Sequence, residues 1–250
     1  MTKFELKPEE FMGKVANGIG LVAPFDFALD DEYRLWLPHS TPLFTTRTPE
    51  LEDTSVTVTL AKEVGSELAV VPAIRSLLAV RPAAIGYACT SGSFINGVAG
   101  EKHLLDIMVK AGAPAAVTTS GALVQALHAL GVRKVAIATP YNQELTESLR
   151  EFLRESGFGV VSSGYLNMEH DIARVSTSAV IRMAEAIDRP DAEAIFFSCT
   201  NLHTYEIIKE LEYRLGKPVL SANQVTVWAA LQAGHLTLPV VDQRLFSINE

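Results

Sequence analysis

Short apolar runs alternate along this chain with longer segments in which apolar residues recur at helical spacing. The apolar runs are too short for helices and are bounded by turn residues, which predicts buried strands. They lie at residues 18–24, 42–48, 81–90, 115–119, 134–139, 159–163, 189–200 and 218–221. Helical patterns lie at residues 30–37, 58–80 with a kink or break at Pro72, 96–111, 121–130, 144–154, 172–187, 205–215 and 224–232. Strands that alternate with helices are typical of βαβ units and parallel sheets, so we predict an α/β protein.

Two of the predicted strands are similar in sequence. Arg81–Thr90 and Arg189–Thr200 both open with Arg-Pro, continue through an apolar run and end in a small residue followed by Cys-Thr. Cys89 and Cys199 are the two cysteines of the chain. Each lies where a strand ends and a helical segment follows, which in an open α/β sheet is where ligands bind. We therefore interpret the chain as two related halves that each contribute one thiol to a shared cleft.

The two halves are predicted to be interleaved along the chain. A join near Ala113-Pro114 and a second crossing near Ser221 give a first domain of residues 1–113 plus 222–250 and a second of residues 114–221. Each domain then carries one of the two cysteines, and the C-terminal helix returns to the first domain.

Composition and charge narrow the class of partner. The 250 residues are 48% apolar and carry a net charge of -8, which gives no general attraction to nucleic acid or to an anionic membrane. No apolar run approaches the roughly 18 residues of a membrane span. Met1–Phe11 mixes lysines with glutamates and lacks a long apolar segment, so it does not resemble a secretory signal. We expect a cytoplasmic homo-oligomer with neither a nucleic-acid nor a membrane partner.

The sequence lacks the motifs that several kinds of catalytic and binding site require. The histidines and cysteines lack metal-ligand spacing, and neither a phosphate loop nor a G-x-S-x-G elbow occurs. The letters of Gly18–Ala23 match G-x-G-x-x-A, but a dinucleotide motif must follow a strand and these residues form one. What remains is thiol chemistry. A disulfide is disfavoured in a cytosolic chain, and an inert buried role stays open for either cysteine.

A thiol between a strand end and a helix start faces unpaired backbone N–H groups, which predicts a lowered pKa. Two such thiols on opposite sides of one carbon can remove and return a proton, or add to a double bond, without a cofactor. Polar residues follow both cysteines and suit a carboxylate ligand; they are Thr90, Ser91, Thr200 and Asn201, with Tyr141 after another strand. The alternatives are helix capping for Thr90 and Thr200 and ordinary packing for Tyr141.

These residues carry a family resemblance. The two Cys-Thr strand ends, Ser120–Leu123 and Ala136–Tyr141 resemble the aspartate/glutamate racemase superfamily, in the branch of maleate cis-trans isomerases and arylmalonate decarboxylases. The resemblance extends from about residue 18 to residue 234. It implies two flavodoxin-like domains related by pseudo-two-fold symmetry, a site between them, no cofactor, no metal, and a small carboxylic or dicarboxylic acid as the substrate.

The resemblance also implies roles for individual residues. Cys89 and Cys199 match the paired catalytic cysteines of the isomerases and racemases, where the first is the nucleophile and the second handles the proton. Tyr141 matches a carboxylate-binding tyrosine, and Thr90 and Ser91 match the carboxylate-binding Thr-Ser of the decarboxylases. The decarboxylases have glycine where this chain has Cys89, which disfavours a pure decarboxylase. We add Thr200, Asn201, Pro24 and Asp26 to the expected substrate-binding set.

The chain departs from the maleate isomerases at two positions. Those enzymes carry asparagine in the loop after the first strand, where this chain has Phe27 next to Asp26, and again near residue 163, where His170 or Asp171 lies nearby. These differences argue against maleate itself, and the phenylalanines at 25 and 27 predict a more apolar pocket.

Three functions stay open at this point. The favoured one is a cofactor-independent, two-cysteine isomerase or racemase of a small carboxylic acid, similar to maleate cis-trans isomerase. The second is a decarboxylase of arylmalonate type with Cys199 as the proton donor. The third is a non-catalytic protein that binds a small carboxylate, which would have no need of reactive thiols.

Overall fold

The computed structural model describes Lys7 and residues 17–248, and these form two four-stranded parallel sheets. The first sheet contains β1 (Ile19–Ala23), β2 (Leu43–Arg47), β3 (Ala84–Tyr87) and β4 (Ala116–Thr118). The second contains β5 (Lys134–Thr139), β6 (Gly159–Tyr165), β7 (Ala194–Phe197) and β8 (Val219–Ser221). The orders are β2-β1-β3-β4 and β6-β5-β7-β8, one pattern used twice. This order is the flavodoxin-like one, so the predicted fold class is confirmed. Apart from Lys7, the N-terminal stretch compared above with a signal sequence lies outside the described residues.

Helices connect the strands. They are α1 (Asp30–Arg34), α2 (Val58–Val64), α3 (Glu67–Leu78), α4 (Thr90–Phe94), α5 (Gly97–Lys110), α6 (Thr119–Ala129), α7 (Gln143–Glu155), α8 (Thr177–Ile187), α9 (Tyr205–Leu215) and α10 (Ala222–Ala233). Short 3-10 turns lie at Ile172–Arg174 and Arg244–Ser247. Among the described residues, no helix combines the length and apolar character that crossing a bilayer requires.

Of the kink or break predicted at Pro72, the break is wrong, because α3 continues through that residue. The helical pattern is interrupted instead at Gly65 and Ser66. The Ser66 hydroxyl accepts a hydrogen bond from the Ala69 N–H and so caps α3, as serine commonly does at a helix start. A Cβ at Gly65 would lie 2.6 Å from the Gly92 carbonyl oxygen, so this position is open only to glycine. The end of α2 is thereby brought close to α4.

Strands are buried where helices cover both faces of a parallel sheet. Every residue of the central strands β1, β3 and β7 and of the edge strand β8 is buried, and β5 is buried except at Lys134, whereas the edge strands β2 and β6 are largely half-exposed or exposed. This explains why the central strands read as continuous apolar runs rather than as alternating ones.

The chain passes between the sheets later than the sequence suggested. The predicted join at residues 113 and 114 precedes β4, yet β4 pairs with β3 in the first sheet, with Ile85 opposite Ala116. The join therefore lies after β4. The C-terminal helix α10 packs on α6 and on β3 and β4 of the first sheet, and its assignment to the first domain stays a prediction.

Helix α3 offers a matched test of this packing. Leu77 is 4% exposed and Leu68 is 87% exposed in the same helix. We expect Leu77→Ala to lower the free energy of unfolding by about 2–5 kcal/mol through the transfer and cavity costs. Leu68→Ala should change it by less than about 0.5 kcal/mol. Urea denaturation followed by circular dichroism measures both, and equal effects would contradict the assigned helix face.

Candidate active site

The two cysteines occupy equivalent positions in the two sheets and line one cavity. Cys89 lies two residues after the end of β3, and Cys199 lies two residues after the end of β7. Both are free thiols. The structure brings all nine predicted site residues to this cavity, which is lined by Pro24, Asp26, Cys89, Thr90, Ser91, Tyr141, Cys199, Thr200 and Asn201. We refer to it as the thiol cavity. Its geometry agrees with the predicted set, while the roles of the individual residues stay predictions.

Four apolar side chains that the sequence analysis missed complete the thiol cavity. Val56, Leu60, Val64 and Ile172 line it beside the polar groups. The pocket is more apolar than a purely polar carboxylate site, but the residues predicted to make it apolar were the wrong ones. Phe25 and Phe27 are not among its lining residues, and the Phe27 ring stacks on Tyr33 at 5.0 Å. Apolar residues at helical spacing in α2 carry no signal that separates a pocket wall from ordinary core.

The thiol cavity is small. Its volume is about 40 Å³, well below the roughly 300–1,000 Å³ of ordinary ligand pockets. A second cavity of about 380 Å³ shares Asp26, Val56, Ile172 and Asn201 with it, and we call this the outer cavity. His170 and Asp171, singled out in the sequence, line the outer cavity rather than the thiol cavity. The Val56 N–H donates to the Glu169 carbonyl at 2.9 Å, which joins the loops of the two halves beside both cavities.

Cys89 is buried among hydrogen-bond donors. Burial raises the pKa of its thiol, and this effect outweighs the Gly92 N–H, the Ser91 hydroxyl and the Tyr87 hydroxyl, which lower it. The Ser91 Oγ lies 3.8 Å from the sulfur. A Cβ at Gly92 would collide with the Tyr87 hydroxyl, so glycine allows the first turn of α4 to close over the thiol. The donors that favour a thiolate are thus present but insufficient in this dry setting.

The backbone around Cys199 differs from the strand-then-helix arrangement that the sequence predicts. Its φ is 105°, a left-handed conformation that costs a non-glycine residue about 1–3 kcal/mol. No helix follows directly, because α9 begins only at Tyr205. The Asn201 N–H donates to the sulfur at 3.4 Å. The surrounding turn must hold this strained residue in place.

The predicted lowering of a cysteine pKa is therefore wrong for both thiols of the resting protein. Burial raises the pKa of Cys199 to about 12, while the Asn201 N–H and Tyr141 lower it only in part and Asp26 and Cys89 raise it further. The helix-terminus argument counted the N–H donors and omitted the cost of removing a thiolate from water. Cys199 is accordingly a neutral thiol at physiological pH.

Thr90 carries a buried hydroxyl that has no hydrogen-bond partner. The residue is 1% exposed, and its Oγ1 is unpartnered although it belongs to the lining of the thiol cavity. Orphaned buried hydroxyls are costly, so this one points to a ligand. The capping alternative does not hold, since the N-cap of α4 is Cys89 and that of α9 is Thr204.

Tyr141 and Asn201 divide the remaining polar functions. The Tyr141 hydroxyl accepts a bond from Ser198 at 3.4 Å, which leaves its proton available to a ligand or to Cys199. Desolvation raises the pKa of Tyr141 well above its usual value, so it acts as a neutral donor. The Asn201 amide is already engaged, because its Oδ1 accepts from the Ala28 N–H and its Nδ2 donates to the Asp26 carbonyl. Asn201 thus ties the two halves together across the cleft.

Few charged groups line the thiol cavity. Desolvation raises the pKa of Asp26, which lies at the cavity wall. Within the described part of the chain, no group of three or more histidine, cysteine, aspartate or glutamate side chains has the geometry of a metal site. Besides the Asp26 carboxyl, the polar groups at the cavity are neutral hydroxyls, thiols, an amide and backbone N–H groups.

Comparisons with known proteins point to one family. A family model described as arylmalonate decarboxylase matches residues 65–246. An arylmalonate decarboxylase of Bordetella bronchiseptica is 38% identical over 150 residues, which are 57% of this chain and 61% of that protein. A maleate isomerase of Pseudomonas putida is 31% identical over 165 residues, 63% of this chain and 66% of that protein. The matches thus span less than two thirds of the length of these relatives.

The fold comparison extends further along the chain. A crystal structure of a double mutant of arylmalonate decarboxylase in its liganded form superposes with a TM-score of 0.82 and 30% identity. The superposition covers 92% of this chain and 99% of that chain. The two-sheet architecture is therefore shared over nearly the whole described structure.

The raised pKa values predict slow alkylation. At pH 8 a thiol with a pKa of about 12 is about 10⁻⁴ thiolate, so iodoacetamide should modify Cys199 slowly in the resting protein. We expect its rate to keep rising well above pH 9. Mass spectrometry of each cysteine peptide across pH 6–11 measures this, with urea-unfolded protein as the control. A Cys199 rate that levels off near pH 8.5 would contradict the desolvation argument.

Because the Thr90 hydroxyl has no hydrogen-bond partner within the protein, its removal should weaken ligand binding without lowering stability. Thr90→Val should leave the free energy of unfolding within about 1 kcal/mol, because no internal hydrogen bond is lost. It should weaken the binding of a small carboxylate such as maleate about 10–100-fold, the loss expected for a hydrogen bond to a charged group. Calorimetric titration and urea denaturation measure the two effects.

Thr146→Val is the matched control. The Thr146 hydroxyl is buried and bonded to Thr139 Oγ1 at 2.7 Å and to the Asn142 carbonyl at 2.8 Å. This variant should lose about 1–3 kcal/mol of stability and keep its carboxylate affinity. Unchanged affinity in Thr90→Val would remove that hydroxyl from the binding site.

Proposed function

Because the chain belongs to the arylmalonate decarboxylase and maleate isomerase family of the aspartate/glutamate racemase superfamily, we propose that it is a cofactor-independent, two-cysteine isomerase or racemase of a small carboxylic acid. The observation that carries the proposal is the meeting of Cys89 and Cys199 in one cavity beside the unpartnered hydroxyl of Thr90.

The polar wall of the thiol cavity binds the substrate carboxylate in this proposal. Thr90, Ser91 and Tyr141 offer hydroxyl donors, and none of the three brings a charge of its own. A carboxylate, and the enediolate formed when its α-carbon loses a proton, accept such donors through the same oxygens. Donors already placed in a dry site stabilise the developing charge without reorganisation.

The two thiols have unequal tasks. Cys89 has the Gly92 N–H and the Ser91 hydroxyl beside its sulfur and is the N-cap of α4, whereas no helix follows Cys199 directly, which makes Cys89 the thiol better able to bear negative charge as a base or nucleophile. Cys199, with its pKa near 12, is the neutral thiol that returns a proton. An acid and a base on two sides of one carbon are what inversion, or addition to a double bond followed by rotation, requires.

The two cavities bear on the size of the substrate. The thiol cavity admits a carboxylate and the reacting carbon, and a larger substituent extends past Val56 and Ile172 into the outer cavity. His170 and Thr54 line that outer space together with Arg174. We propose that the outer cavity receives the longer substituent of the acid.

A decarboxylase of arylmalonate type is the second candidate. Val56, Leu60, Val64 and Ile172 form an apolar wall, in which a substrate carboxylate would be poorly solvated and so favoured to leave as CO2. The neutral Cys199 thiol would then protonate the remaining carbanion. Cys89 has no task in this scheme, which is why we rank it second. A non-catalytic carboxylate binder ranks third, since it explains neither thiol.

Incubation with a panel of carboxylates in D2O, followed by NMR, distinguishes these functions. Deuterium at an α-carbon indicates racemase chemistry, conversion of maleate to fumarate indicates the isomerase, and loss of CO2 from a disubstituted malonate indicates the decarboxylase. Binding without exchange or conversion of any acid supports the third candidate.

Single substitutions of the thiols test the assignment. We expect Cys89→Ala to abolish isomerisation and Cys199→Ser to slow turnover by roughly 10²–10⁴-fold, as expected for a lost positioned acid. In two-base racemisation each variant still exchanges the α-proton of one enantiomer. A decarboxylase would keep or improve CO2 release in Cys89→Gly and lose it in Cys199→Ser. Near-normal turnover in both single variants would exclude thiol chemistry.

A further inference from the structure

Glu32 is a buried carboxylate that lies in one half of the molecule and bonds to the other. It belongs to α1 of the first half and is 7% exposed. Its Oε1 accepts hydrogen bonds from the Thr204 N–H at 2.5 Å and from the Tyr205 N–H at 2.8 Å. The Thr204 hydroxyl donates to the same oxygen at 3.3 Å. Glu32 therefore holds the start of α9, at the far end of the turn that begins with Cys199.

Asn223 connects the other carboxylate oxygen to the near end of that turn. Its Nδ2 donates to Glu32 Oε2 and also to the Thr200 carbonyl at 2.9 Å. Asn223 is 1% exposed and lies at the start of α10, the helix that returns to the first half. The turn is thus gripped at Thr200 and at Thr204 by one connected pair of side chains.

The turn requires such support. Cys199 adopts a left-handed φ of 105°, which a non-glycine residue keeps only when its surroundings impose it. We propose that Glu32 is a positioning residue for Cys199: through Asn223 and the start of α9, its carboxylate holds the turn that presents the thiol to the cavity. The consequence for catalysis rests on the proposed function, whereas the control of the turn does not.

Another buried carboxylate provides a control for purely structural effects. Glu212 is 5% exposed and accepts backbone N–H bonds from Val219 at 3.1 Å and Arg244 at 2.9 Å. It thus has the same kind of partners as Glu32, and it is absent from the lining of the thiol cavity. An effect that the loss of any buried carboxylate would cause must appear when either glutamate is replaced.

The readout is the titration of Cys199 itself, which needs no substrate. The ionisable groups that face this thiol are Asp26 after β1, Tyr33 of α1, Cys89 after β3 and Tyr141 after β5. Glu32→Gln leaves all of them in place. It replaces the acceptor that faces Asn223 with an amide N–H, so that two donors meet and the Thr200 contact is released.

The experiment measures iodoacetamide alkylation of Cys199 against pH in a Cys89→Ser background. We expect Glu32→Gln to lower the apparent pKa of Cys199 by at least about one unit, and so to raise its alkylation rate at pH 9 by about tenfold or more, because a loosened turn admits water to the sulfur. Glu212→Gln should leave this rate within about twofold, since the Glu212 carboxylate bonds to the Val219 and Arg244 N–H groups and not to the turn from Cys199 to Tyr205. Both variants should lose stability in urea.

Asn223→Ala is the second variant and is used if Glu32→Gln does not fold. It keeps the bonds of Glu32 to α9 and removes the bonds of Asn223 to Glu32 Oε2 and to the Thr200 carbonyl. It should shift the Cys199 titration in the same direction. An unchanged Cys199 profile in whichever variant folds overturns the proposal, as does an equal shift in Glu212→Gln. Because the assay uses only the resting protein, failure to find a carboxylate substrate would count against the proposed function and not against this role of Glu32.

Discussion

Hydrogen bonds across the cleft hold the two thiols opposite a common space, and the rest of the site depends on them. The segment from Asp26 to Glu32 in the first half bonds to the segment from Asn201 to Tyr205 in the second. Asn201 supplies both its amide donor and its acceptor to this contact. Each sheet alone would place its cysteine at a strand end, and these bonds contribute to how the two strand ends face one another. The strained backbone of Cys199 is tolerated because it lies inside this network.

Burial and hydrogen bonding oppose each other at the thiols. Backbone N–H groups and hydroxyls point at both sulfurs, as a thiolate site requires, yet the same closure removes the water that would solvate a charge. Desolvation is the larger effect in the resting protein. The balance differs between the two thiols, because Cys89 is the N-cap of α4, whereas no helix follows Cys199 directly and burial raises its pKa to about 12. This inequality supports an assignment of base and acid that the near-identical sequence contexts of the cysteines did not.

The apolar residues that line the thiol cavity further limit which reactions the site can support. Val64, at the end of α2, accepts a hydrogen bond from Tyr87 through its backbone carbonyl at 2.9 Å, while its side chain lines the thiol cavity. Packing of the first half thus shapes the space in which a ligand sits. The thiol cavity of about 40 Å³ lies beside an outer cavity of about 380 Å³, with which it shares four lining residues.

The sequence by itself determined the fold class and predicted a polar residue set that the structure brings to one cavity, because both depend on local signals. Buried strands read as apolar runs, and the repeated Cys-Thr contexts mark two equivalent strand ends. The position of the join after β4 depends on pairing with β3, which a three-residue strand does not encode. Only the tertiary structure decided the protonation of the thiols, since desolvation is a property of everything packed around a group. Likewise, Val56, Ile172, Glu32 and Asn223 come to the site from distant parts of the chain, and their residue types fit ordinary core or surface equally well. Their roles follow from contacts that exist only once the two halves have closed on each other.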